Sequence, residues 1–374
     1  MLAIRAALLS ARSATLHRIQ LGPNLSRSHS MATKAVKLWI DNDAGVDDAQ
    51  GILLALAAPE ADVLGISCVN GNVDVAKVVK NVARVLQVAD RLDVPFYLGA
   101  DEPLLGDVID AAYFHGQDGL GDAPAIHPAL ESISHSPLQG IAALKLVEAA
   151  VKHEGELVVA AIGPLTNLAL ACKLDIDFPE RVKALYVMGR AGPLTNLALA
   201  CKLDIDFPKR VKALYVMGGA ERAGNVTPSS EFNFHCDPEA AHLVLKKFPH
   251  AVLISWECTM AHAIPWDTFF PWIQKDTARA RFVSGISKAS IEHEHKLNRT
   301  GWIACDPLAV AVAIRPELIE EVQELYCAVE LHGSLTRGMS SFDWNKTLER
   351  SPNVSLVKRV NLEGFNAMMD ASTD

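Results

Sequence analysis

From residue 36 onward, short apolar runs rich in strand formers alternate with segments of helical period. No other feature constrains the fold of this chain as much. VKLWID (36–41) reads as a strand, and DDAQGILLALAAPE (47–60) as a helix ended near Pro59. ADVLGISCVNGN (61–72) is a second buried-strand pattern with a Gly-Asn end. VAKVVKNVARVLQVADR (75–91) is an amphipathic helix with apolar residues at 75, 78, 79, 82, 85, 86 and 89. VPFYLGA (94–100), ELVVAAIG (156–163), VKALYVMG (182–189) and AVLISW (251–256) read as further strands; PLTNLALACKL (164–174) and DPLAVAVAI (306–314) read as helices. Such alternation implies an α/β fold: an open, mostly parallel, Rossmann-like sheet with helices on both faces. Ligands in such sheets gather at the carboxyl ends of strands. No Gly/Ser-rich linker divides the body of the chain, so 36–374 is expected to be a single domain.

One segment complicates that layout. GPLTNLALACKLDIDFPERVKALYVMG at 163–189 recurs at 192–218 with a single change, Glu180 to Lys209. Two near-identical copies are unlike a repeat architecture, which needs several diverged units. A sheet with room for one helix–strand unit must accept a second or extrude it. Extrusion as a poorly packed surface segment is the expectation.

Behind the first strand, WIDNDAGVDDAQG (39–51) places four aspartates, 41, 43, 47 and 48, within eight positions. Aspartate is common in turns after strands, and Asp47 and Asp48 suit the positive end of the helix that follows. Four so close repel one another, and a bound hard cation is the counter-charge that lets them stay ionised together. Asn72 sits at a neighbouring strand end.

Composition limits the alternatives. The net charge is −9 across 374 residues, with no long basic run in the body, which argues against nucleic-acid binding through a basic face. The apolar runs are too short to span a bilayer. Seven cysteines, an odd number without paired zinc spacing, read as mostly buried thiols in a reducing compartment. The first 40 residues hold no Asp or Glu and four Arg, at 5, 12, 18 and 27. Residues 1–35 thus have the composition of a mitochondrial transit peptide; a disordered tail, or a true start at Met31, are the other readings. The protein is expected inside the cell, in the cytoplasm or the mitochondrion.

Two enzyme classes open with an acidic cluster of this kind. Mg²⁺-dependent phosphatases of the haloacid-dehalogenase type carry Asp-x-Asp after a strand, which Asp41 and Asp43 fit, but the following Ala-Gly-Val-Asp-Asp does not. DNDAGVDDA (41–49) instead resembles the opening Asp-x-Asp-x-Gly-x-Asp-Asp-Ala of the nucleoside hydrolases at every defined position. GN (71–72), FHGQDGLGD (114–122), GPLTNLAL (163–170), VMGGA (216–220), GNVTPSSEFNFHCDPEAA (224–241) and DPLAVA (306–311) extend that resemblance in order. It covers roughly 37–315 and is most similar to animal members of the inosine–uridine-preferring type.

The resemblance implies Ca²⁺-dependent cleavage of the N-glycosidic bond of ribonucleosides by water, in homodimers or homotetramers. It implies that Asp43, Asp48, Asp306 and the carbonyl of Ile162 bind Ca²⁺, with Asp43 also the base for water. Asp47 and Asn72 are implied to hold ribose hydroxyls, Asn225, Glu231 and Asn233 the 5′ and 3′ side of the sugar, and Met217 to line the pocket. Asp41 supports the loop. Many members carry His before the Asp-Pro as the acid for the leaving base; here the motif is ACDP (304–307), so Cys305 is either that acid or a packing residue, with His115 and His262 as substitute candidates. Trp256 and Trp302 are candidates to stack on the base or to fill the core. A nucleoside-binding protein of the same fold without turnover is the non-enzyme alternative.

Overall fold

The computed structural model describes residues 34–102, 112–123, 136–188 and 193–374; the transit-peptide reading of the N-terminus lies outside them. The chain begins with β1 (Val36–Asn42), α1 (Val46–Ala57), β2 (Ala61–Cys68), α2 (Val75–Val88) and β3 (Phe96–Leu98). Next come α3 (Ala112–His115), α4 (Ala142–Lys152), β4 (Leu157–Ala161), α5 (Thr166–Leu174), α6 (Phe178–Arg181) and β5 (Val182–Met188). The second copy of the repeat forms α7 (Pro193–Leu203), α8 (Phe207–Arg210) and β6 (Leu214–Met217). Beyond it lie α9 (Phe232–Cys236), α10 (Pro238–Lys247), β7 (Ala251–Ile254), α11 (Trp256–Ala261), β8 (Ile264–Pro265) and α12 (Trp266–Ile273). The chain closes with α13 (Ala278–Ile286), α14 (Lys288–Lys296), β9 (Gly301–Trp302), α15 (Cys305–Ile314), β10 (Ile319–Leu325), β11 (Cys327–Val329), β12 (Ser340–Phe342), β13 (Val354–Val360) and α16 (Leu362–Ala371).

Nine strands form one sheet in the order β10-β13-β7-β6-β5-β4-β1-β2-β3. Every pair is parallel except β10–β13, an antiparallel edge that the alternation at the start of the chain does not foretell. Side chains alternate between two cores, one on each face. Leu38, Ile40, Val158 and Ala160 face one core; Trp39, Leu157, Val159 and Ala161 face the other. The helices α1, α13, α15 and α16 contribute to the first core, and α4, α5, α7 and α10 to the second. Among the described residues, no helix is long and apolar enough to cross a membrane.

The expected extrusion of the repeat does not occur. Both copies enter the sheet, with β5 between β4 and β6. Identical residues meet in register: Tyr186 lies opposite Tyr215 and Met188 opposite Met217, and the two tyrosine rings stack at 4.1 Å. The physical reason is that each copy carries a complete unit. Its strand is apolar on both faces, with Ala184, Tyr186 and Met188 in one core and Leu185 and Val187 in the other, and it brings its own covering helix. Extrusion would leave those faces in water; insertion buries them.

Candidate functional site

The site is built at the carboxyl edge of the sheet, as expected for a parallel sheet. β1 ends at Asn42, the backbone turns through Ala44 at φ 48°, and α1 starts at Val46. Asp48, in the first turn of α1, accepts the N–H groups of Gly45 at 2.9 Å and Asp43 at 3.2 Å, folding the turn back on the helix end. Asn72, beyond β2, bridges the cluster. Its N–H donates to Asp43 Oδ2 at 2.7 Å, and its amide donates to Asp43 Oδ1 and Asp48 Oδ2, each at 3.1 Å. A Cβ on Gly71 would stand 2.1 Å from Asp43 Oδ2, so only glycine permits this approach.

Asp41 lies deeper and does not line the cleft. Its Oδ1 accepts the Ser67 hydroxyl and, at 2.8 Å, the Asn167 amide, while Oδ2 has no hydrogen-bond partner. Burial raises its carboxyl to about 7 against those hydrogen bonds. The supporting role expected for Asp41 fits this placement. Ile162 follows β4, and its N–H donates to the Asp41 carbonyl at 2.8 Å. The Gly163 backbone presses against Asp43, with a Cβ there falling 2.7 Å from the Asp43 nitrogen. The Ile162–Gly163 peptide therefore sits against the acidic loop.

Asp306 arrives from the first turn of α15, which packs along α1. Carboxylate oxygens of Asp47, Asp48 and Asp306 lie within 4.8 Å of one another. Three carboxylate oxygens at that spacing could hold a hard divalent cation. The convergent trio thus includes Asp47, which the resemblance implied for ribose; Asp43 adjoins it through Asp48 and Asn72.

Asp47 and Asp306 open onto a cleft of about 540 Å3, of a size to enclose a small organic ligand. Met217, Asn225, Glu231, Asn233 and Cys305, all expected in the site, line it too. Glu231 caps α9, accepting N–H groups from Gly219 at 2.8 Å, Asn233 at 2.9 Å and Phe234 at 3.3 Å. Burial raises its carboxyl to about 7. Asn225 Oδ1 accepts the Phe232 N–H at 2.8 Å, and the Asn233 amide reaches the Met217 carbonyl at 3.4 Å and its sulfur at 3.3 Å. Burial, then the charges of Asp47 and Asp306, push the Cys305 thiol well above its ordinary range. That holds Cys305 as a neutral thiol and makes it a weak acid.

The two substitute histidines part company. His115 lines the cleft, its Nδ1 accepting the Val46 N–H at 3.1 Å and lying 3.8 Å from Asp47. His262 is buried in backbone contacts, with Nδ1 2.7 Å from the Cys258 carbonyl and Nε2 accepting the Val360 N–H at 2.9 Å. Its role is structural. Trp302 is anchored by Gln50 at 3.0 Å and stacked on Phe269, yet one edge reaches the cleft; Trp256 lines it with the Arg299 guanidinium 5.5 Å from its ring. Met188, His293, Glu294 and Arg299 also line the cleft; Met188 is the repeat counterpart of Met217, and the other three carry no sequence signal. The last three come from α14 and the turn after it, a polar stretch that tertiary packing alone brings to the site.

The model of the inosine–uridine preferring nucleoside hydrolase family matches the chain over 38–191 and 190–367. The chain belongs to this family. The two matched stretches meet at the repeat, as a chain with one unit too many would do. A pyrimidine-specific ribonucleoside hydrolase, RihA, of Escherichia coli O7:K1 is 30% identical over 335 residues, covering 88% of this chain and 96% of that protein. A solved inosine–guanosine nucleoside hydrolase aligns with a TM-score of 0.67 and 29% identity over 90% of this chain and 98% of its own. A plant nucleoside hydrolase, PpNRh1, shares the fold with a TM-score of 0.69 at 24% identity, over the same shares of the two chains.

Proposed function

We propose that this nucleoside hydrolase cleaves the N-glycosidic bond of ribonucleosides with water, in a Ca²⁺-dependent reaction that yields free base and ribose. The convergence of Asp47, Asp48 and Asp306 at the floor of the cleft, beside the Asp43–Asn72 pair, is the observation that carries this reading. Asp43, Asp48, Asp306 and the Ile162 carbonyl would hold the ion, with Asp47 within the same set of oxygens. When bound, Ca²⁺ supplies positive charge that acidifies water and grips hydroxyl oxygens.

The reaction passes through an oxocarbenium-like sugar, as in glycoside hydrolysis. Water forms the new C1′–O bond while the C1′–N bond breaks, and Asp43 takes the proton that water loses. Its carboxylate is held for this by two donors from Asn72. Asp47 and Asn72 orient ribose hydroxyls. The leaving base needs a proton; Cys305, at the position the resemblance gives to the acid, and His115 both line the cleft as candidate donors. The relatives' names include pyrimidine-specific and inosine–guanosine enzymes, and the base would face the aromatic and α14 side of the cleft, away from the acidic floor. The resemblance supports assembly as a homodimer or homotetramer.

Asp43→Ala and Asp306→Ala should each abolish ribose release and calcium retention. Near-normal turnover in either variant defeats the assignment. The nucleoside-binding alternative predicts tight binding with the nucleoside recovered intact.

A further inference from the structure

The repeat does more than lengthen the sheet. It separates two walls of the cleft that come from different strand ends. The acidic wall follows β1 and β4, where the Ile162–Gly163 peptide meets Asp43. The amide wall, Asn225, Glu231 and Asn233, follows β6. Between β4 and β6 stands β5, which ends in Met188, in register with Met217. At about 4.8 Å per strand, the ends of β4 and β6 are about 10 Å apart, where direct neighbours would be about 5 Å apart.

The two copies have also divided their work. Asn167 of the first copy holds Asp41 with its amide at 2.8 Å. Its counterpart in the second copy, Asn196, donates to Thr166 at 3.0 Å and keeps a buried Oδ1 with no hydrogen-bond partner. The first copy thus serves the acidic wall. The second copy serves the amide wall, because its strand leads into the segment that carries Asn225, Glu231 and Asn233. Met188 of the first copy and Met217 of the second both line the cleft, one beside the other.

We propose that β5 sets the reach of this site: its insertion moves the amide wall one strand width from the acidic floor, so that a single ribose held at the floor is not clasped by both walls. Met188 occupies the position beside Ile162 that would otherwise lead straight into the amide wall. Removing residues 190–218 joins Gly189 to Gly219, runs Met188 directly into GGAERAGN, and returns the amide wall to the strand next to β4. This inference rests on the nucleoside reading of the site.

The test needs no turnover. A C-nucleoside, whose carbon–carbon glycosidic bond water does not cleave, is titrated calorimetrically in the presence of Ca²⁺. The proteins are the full chain, its 190–218 deletion, and Asn225→Ala in each background. The deletion should bind about tenfold or more tightly, the equivalent of one or two recovered hydrogen bonds. The penalty of Asn225→Ala should be several-fold larger in the deletion than in the full chain. Equal affinities with equal Asn225→Ala penalties would overturn the proposal.

A crystal structure of the full chain with the C-nucleoside decides independently of whether the deletion folds. The account expects the side chains of Asn225, Glu231 and Asn233 to lie beyond about 3.5 Å from every ribose oxygen while Asp47 is in contact. Direct contacts from both walls to one ribose would refute it. Failure of the hydrolase reading looks different: the C-nucleoside binds as described, but neither protein releases ribose from ordinary nucleosides.

Discussion

Replacing Asp306 by Asn removes one of three carboxylates whose oxygens lie within 4.8 Å of one another. At that separation and an effective dielectric constant of about 20, each pair of like charges costs about 3.5 kcal/mol. Asp306 belongs to two of the three pairs, so full ionisation without a cation carries about 7 kcal/mol of repulsion that the Asn variant lacks. Proton uptake by one carboxyl relieves part of this, which makes the figure an upper bound. The variant should therefore behave oppositely in two conditions. With chelator it should melt above the parent chain; with millimolar Ca²⁺ it should gain far less than the parent does. A difference of about 2 kcal/mol corresponds to roughly 2.5 °C in a chain of this size. Scanning calorimetry with EDTA and with Ca²⁺ reads both effects. A variant that melts below the parent in EDTA, or one that keeps the parent's Ca²⁺-induced shift, would show that repulsion among these carboxylates is not what the cation relieves.

Three further outcomes follow from the same geometry. Gly71→Ala places a Cβ 2.1 Å from Asp43 Oδ2, and should cut turnover at least about tenfold while costing about 1–3 kcal/mol in stability; unchanged kcat would mean that Asp43 can move freely. Burial holds Glu231 at about 7 against 4.5 when unfolded, so the folded chain keeps a proton that the unfolded chain releases, and stability falls as pH rises from 4.5 to 7. Its share of that slope amounts to about 3 kcal/mol at about 1.4 kcal/mol per pH unit, and Glu231→Gln should remove that share and leave the part from Asp41 in denaturant titrations across the window; an identical slope refutes the assignment. Cys305→Ala should slow nucleosides with poor leaving groups most, whereas an equal slowing of all substrates argues against proton donation by the thiol.

Much of the acidic floor was legible in the sequence because it is local. Asp41 to Asp48 run from the end of β1 into the first turn of α1, and a strand-to-helix junction crowded with carboxylates allows few readings. Asp306 and Asn72 reach the same place from distant segments; the strand pattern put Asn72 at a neighbouring strand end, and only the resemblance tied Asp306 to the site. Asn167 is harder still, since its bond to Asp41 spans 126 positions and its motif reads equally well as an ordinary helix start. The cleft's third side, His293, Glu294 and Arg299, depends on where α14 docks, and a polar helix leaves no periodic trace of that. The repeat was visible but misjudged. Extrusion assumed a sheet of fixed width, whereas parallel strands with covering helices add as modules when both faces of the new strand are apolar, as Ala184 to Met188 are.

Ribose release from a panel of inosine, guanosine, uridine and cytidine, by the full chain with Ca²⁺ and after chelation, tests the central claim most directly. The account predicts release of ribose and free base from at least one nucleoside, lost with chelator and restored by Ca²⁺. Intact recovery of every nucleoside in both conditions, or release that chelator leaves untouched, would contradict it.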